Sequence, residues 1–79
     1  MNRNNLNQKI MEIFQQKELL KGIDENQDFF ELGVSSLTVV EMQILIEKEL
    51  GVEAKTASLM AAPTVAEWVA IYYGLCSAN

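Results

Sequence analysis

The chain has 79 residues, a net charge of −5, no histidine and a single cysteine. About half of it is apolar with few glycines and prolines, so it is expected to fold as one domain over residues 1–79, burying about 60% of the surface its unfolded chain exposes. Without histidine, Ser/His triads, Cys/His catalysis and zinc sites are excluded, and Cys76 alone cannot form an internal disulfide.

A first helix is expected from Asn4 or Asn5, where Asn5 and Gln8 are spaced like a capping box. Leu6, Ile10, Ile13 and Phe14 then form one apolar face, and Leu19 and Leu20 are expected to extend it until Gly22 stops it. Residues 23–35 show no period and read as a long loop pinned by Ile23, Phe29, Phe30 and Leu32. A second helix is predicted from about Ser36 to Leu50, with Glu41, Glu47, Lys48 and Glu49 on its polar face and Gly51 ending it. Its start is ambiguous, because Thr38 and Glu41 also make a capping box. Thr56 to Ala61 reads as one or two helical turns stopped by Pro63. Thr64 and Glu67 then open a last helix whose apolar face is Val65, Trp68, Val69 and Tyr72, capped by Gly74. With no strand pattern, the expectation is an all-α, small four-helix bundle: three main helices, a short third one and a long first loop.

Charge is uneven: residues 1–22 sum to +2, residues 23–50 to −6 and residues 51–79 to −1. An acidic middle argues against nucleic acid, which demands clustered Lys and Arg, and suits partners with basic patches. No apolar run reaches the length of a membrane span, and the chain's start lacks the apolar stretch of a secretory signal, so a cytoplasmic location is expected. The initiator methionine and polar ends favour a free-standing protein, expected to be a monomer.

The second helix carries more apolar surface than one core needs. Val39, Met42, Ile46 and Leu50 make one stripe, and Leu37, Val40 and Ile44 make a second, rotated away from it. The second stripe either packs on the first loop or is an exposed strip for a partner, edged by Glu41 and Glu47. It begins at the pair Ser35 and Ser36. A lone serine with no base is not a nucleophile in its own right, but its hydroxyl can serve as a point of attachment. The competing reading of Ser36 is an ordinary helix N-cap.

The run Asp28-Phe29-Phe30-Glu31-Leu32-Gly33, the pair Ser36-Leu37, the segment Glu47-Lys48-Glu49-Leu50-Gly51-Val52 and the segment Ala62-Pro63-Thr64-Val65-Ala66-Glu67 resemble the phosphopantetheine-dependent carrier proteins. Their spacing matches without a gap from Asp28 to Glu67, and the first helix fits in length and periodicity. The resemblance is nearer to peptidyl and polyketide carriers than to fatty acid carriers. It implies an acyl-carrier-protein-like fold and a 4'-phosphopantetheine arm placed on Ser36 by a phosphopantetheinyl transferase from coenzyme A. Acyl or aminoacyl intermediates would ride on that arm as thioesters. An adenylating enzyme or acyltransferase would load them, and downstream synthase, condensing or tailoring enzymes would receive them.

By the same resemblance the chain is not itself an enzyme and needs no metal of its own. Its partner contacts would be Leu37, Val40, Glu41, Ile44, Glu47 and Met60, although Met60 also suits simple core packing. One departure stands out: Ser35 occupies the place usually taken by Asp or His, which leaves it as the less favoured acceptor. Thr38 stands where fatty acid carriers often place an acidic residue, so recognition is expected to be more apolar than electrostatic. Trp68 and Tyr72 read as core, and Cys76 as an incidental thiol. The alternative function is a helical protein–protein adaptor of the same fold without the arm.

Overall fold

A computed structural model describes residues 2–77. Four helices form in order: α1 Arg3–Gln15, α2 Ser36–Leu50, α3 Thr56–Met60 and α4 Val65–Ser77, with 3-10 turns at Glu18–Leu20 and Phe30–Leu32. Helices α1 and α4 form the most extensive pair, and α2 packs against α1 and α3. The all-α four-helix architecture matches the expectation, including the short third helix and the long first loop.

The core is built from the predicted faces. Leu6, Ile10, Ile13 and Phe14 of α1, Val39, Met42 and Ile46 of α2, and Val65, Trp68, Val69 and Tyr72 of α4 are all buried. At its centre Phe14 meets Phe29 in a tilted pair at 5.2 Å and Trp68 in a near-perpendicular, edge-to-face pair at 4.9 Å between ring centroids. Edge-to-face contacts of this kind match the positive rim of one ring to the negative face of the other. Trp68 also donates its Nε1–H to the Ala62 carbonyl at 2.9 Å, so the largest side chain is buried without an orphaned polar group.

The first loop is tied down by backbone as well as by apolar anchors. Phe29 N donates to the Pro63 carbonyl and Ala66 N donates to the Glu25 carbonyl, each at 2.9 Å. The second bond satisfies a first-turn N–H of α4 that has no partner within the helix. Ile23, Phe29 and Val34 are buried, while Phe30 and Leu32 are half-buried against the core. Asp28 Oδ1 accepts from Phe30 N and Glu31 N, which shapes the turn leading to Gly33. Gly33 then reverses the chain with φ +100°, a conformation that strains any residue with a Cβ.

Several boundaries differ from expectation. Helix α1 starts earlier, because Asn2 rather than Asn5 is the N-cap, accepting from Asn5 N at 2.8 Å. It ends at Gln15, so Leu19 and Leu20 sit in a separate 3-10 turn; Leu20 is buried but Leu19 is 53% exposed. Gly74 does not cap α4, which runs on through it to Ser77 and takes in Cys76. Helix α2 begins at Ser36 and ends where Gly51 takes a left-handed φ of +70°, so the Thr38 start does not occur. Thr64 opens α4 as expected, accepting from Glu67 N at 3.2 Å.

Candidate functional site

Two neighbouring serines have different jobs at the head of α2. Ser35 has an extended backbone and is the N-cap: its Oγ accepts from Thr38 N at 3.3 Å, and its carbonyl accepts from Val39 N at 3.1 Å. Ser36 is the first helical residue, is exposed, and takes part in no side-chain hydrogen bond among the described residues. The cap reading therefore belongs to Ser35, and the Ser36 hydroxyl is left free. Neither Ser36 N nor Leu37 N donates a hydrogen bond among the described residues. A phosphodiester on Ser36 Oγ fits this place, where unpaired N–H groups and the positive end of the helix dipole favour an anion.

The second stripe of α2 faces outward. Leu37 is 69% exposed and Ile44 60% exposed, with Val40 partly so, and Met60 of α3 adds to the exposed apolar residues. The stripe does not pack away on the first loop. Glu41 is exposed but paired with Lys17 at 2.8 Å, a partner the periodicity of α2 did not indicate.

Glu47 departs from its expected place on the polar face. Its Oε2 accepts from Ala54 N at 2.8 Å, Tyr72 OH at 2.9 Å and Gln43 Nε2 at 3.1 Å. Gln43 is itself buried, also donates to the Ala54 carbonyl at 3.1 Å, and accepts from Thr56 Oγ1 at 2.8 Å. This polar cluster fastens the α2–α3 connection and the start of α3 to α2 and α4. Burial, the hydrogen bond to Glu47 and the negative charge of that carboxylate together push the Tyr72 phenol far above the usual tyrosine range. Sequence reading missed Gln43, although its spacing of four after Val39 and three before Ile46 puts it on the buried stripe. A glutamine there signals a group that must find partners.

A free hydroxyl on the first turn of a helix, bordered by an exposed apolar stripe on a rigid four-helix scaffold, is the arrangement of a protein that bears a group on its surface. The family profile described as phosphopantetheine attachment site matches residues 8–71, and the chain belongs to that family. Its cofactor is 4'-phosphopantetheine, held covalently, and the protein is a carrier that bears this arm. Such carriers act with a phosphopantetheinyl transferase and with synthase enzymes. No curated protein and no solved structure matches the chain. Among the described residues no helix is long and apolar enough to cross a membrane, and no cluster of acidic or cysteine side chains is arranged to hold a metal ion.

Proposed function

We propose that Ser36 Oγ is the attachment point of the arm and that residues 1–79 act as one monomeric carrier unit without catalytic activity of its own. It passes acyl or aminoacyl groups between enzymes of a polyketide- or nonribosomal-peptide-type pathway in the cytoplasm. The observation that carries this reading is the capping of α2 by Ser35, which leaves the Ser36 hydroxyl exposed and unpartnered. In the transfer, a phosphorus–oxygen bond forms at Ser36 Oγ as the coenzyme's pyrophosphate linkage breaks and adenosine 3',5'-bisphosphate leaves. The hydroxyl proton passes to a base of the transferase, since among the described residues no side chain of this chain hydrogen-bonds Ser36 Oγ. Once attached, the arm supplies a terminal thiol on which cargo is held as a thioester. Support for the pathway class comes from the first loop and the Ala62-Pro63-Thr64-Val65 segment, which resemble peptidyl and polyketide carriers, and from Thr38, uncharged where fatty acid carriers are often acidic. An adenylating enzyme or acyltransferase would load the arm, and condensing or tailoring enzymes would unload it.

The test is an intact-mass measurement after incubation with coenzyme A, magnesium and a broad-specificity transferase. Wild type and Ser35→Ala should each gain one phosphopantetheine, and Ser36→Ala none. A gain on Ser36→Ala but not on Ser35→Ala would move the site by one residue. No gain on wild type would refute the attachment and favour an adaptor without an arm.

A further inference from the structure

We propose that Asp28 is a positioning residue for arm transfer: by closing the turn Phe30–Leu32, its carboxylate holds the backbone that presents Ser36 Oγ. This rests on the Ser36 reading. Every backbone N–H from Phe29 to Val34 has an acceptor. Phe29 N donates to the Pro63 carbonyl at 2.9 Å, and Gly33 N to the Phe30 carbonyl at 3.0 Å. Leu32 N and Val34 N share the Phe29 carbonyl, at 3.1 and 3.4 Å. The remaining two, Phe30 N and Glu31 N, both donate to Asp28 Oδ1, at 2.9 and 3.3 Å. Among the described residues Asp28 is thus the one side chain that accepts from this run. The ties stop at Ser35, whose N–H, like those of Ser36 and Leu37, donates to no group among the described residues.

The two ends of the run are pinned by burial, Phe29 against Phe14 and Trp68, and Val34 in the core. Between them Glu31 is exposed, Phe30 and Leu32 are half-buried, and Gly33 reverses the chain at φ +100°. Glycine accepts many backbone conformations, so Gly33 allows this reversal without selecting it; the closed turn before it does the selecting. Without the Asp28 acceptor two adjacent N–H groups lose their partner, and the turn opens to reach water. Gly33 N and Val34 N hang from carbonyls of the same turn, so the opening spreads to the residues that lead into Ser35. Ser36 Oγ then occupies a range of positions. Transfer, in which that oxygen bonds to phosphorus as adenosine 3',5'-bisphosphate leaves, slows steeply when the reacting atoms are misplaced by about 1 Å. What the turn requires of Asp28 is an acceptor rather than a charge. Its Oδ2 has no hydrogen-bond partner among the described residues, and asparagine offers an equivalent carbonyl oxygen.

The experiment follows intact mass in single-turnover reactions of the full chain, with coenzyme A and magnesium saturating and a broad-specificity transferase in excess at varied concentration. Asp28→Ala should lower the maximal rate about tenfold while the half-saturating transferase concentration stays within about twofold of wild type. Asp28→Asn should restore the rate. Tyr72→Phe, which loses a hydrogen bond to Glu47 and none in the first loop, is the stability control. It should lower the urea midpoint about as much as Asp28→Ala does, yet accept the arm at the wild-type rate. An Asp28→Ala rate within about twofold of wild type, Asp28→Asn as slow as Asp28→Ala, or Tyr72→Phe slowed to the same degree would each overturn this proposal while leaving Ser36 intact. Absence of any mass gain on wild type would overturn the Ser36 reading and the role of Asp28 with it.

Discussion

Replacing Glu47 by alanine should cost this domain far more than a half-exposed glutamate on α2 ordinarily would. The change removes one acceptor oxygen and strands three donors: Ala54 N, Tyr72 OH and one amide proton of Gln43. Hydrogen bonds to a charged group contribute about 1.5–3 kcal/mol each when buried. Water reaches part of this site and Gln43 keeps the Ala54 carbonyl, so the loss should be about 3 kcal/mol. A domain of this size has roughly 4–12 kcal/mol in total. With a urea slope of about 1 kcal/mol per molar, the midpoint of unfolding followed by circular dichroism should fall by about 3 M.

Tyr72→Phe strands nothing, because Gln43 and Ala54 still serve the carboxylate, and should cost about 1 kcal/mol. It also gives a pH signature. The native phenol is held neutral while an unfolded tyrosine ionises near pH 10, so above about pH 10 the unfolded chain sheds a proton that the native one keeps. Wild-type stability therefore falls by up to about 1.4 kcal/mol per pH unit from this group, and Tyr72→Phe lacks that component. The variant should be the less stable protein near neutrality and overtake wild type at about pH 11. A Glu47→Ala midpoint within about 0.5 M of wild type, or parallel pH curves for wild type and Tyr72→Phe, would show that the cluster does not hold the fold.

Ser35→Ala should lower stability by about 1 kcal/mol through loss of the α2 cap, seen as a lower urea midpoint, whereas Ser36→Ala should leave the midpoint nearly unchanged. Trp68→Phe removes the bond to Ala62 and part of the contact with Phe14, and should cost about 2 kcal/mol in chemical denaturation.

What could be read from the sequence was whatever is local or periodic. The span of α2, the Thr64 cap and the buried faces of α1, α2 and α4 depend on spacings of three and four and on residues within one turn. The unread parts depend on neighbours distant in the chain. The inward engagement of Glu47 needs Tyr72, 25 positions away, and the pairing of Glu41 needs Lys17, 24 positions away. Leu19 suited the α1 pattern, yet the helix had already ended at Gln15 and the 3-10 turn aims the side chain differently from a continued helix. The capping of α2 by Ser35 was not legible for another reason: the cap reading fell on Ser36, both serines suit an N-cap, and the extended backbone at Ser35 selects it.

That division has a consequence for turnover. Chemistry at Ser36 Oγ severs no tie of the scaffold, since the neighbouring hydroxyl closes the helix by itself. If Ser36 carries the arm, as proposed, the cap that starts α2 is the same with and without it, so an enzyme that meets the domain would find this helix end unaltered and only the attachment new.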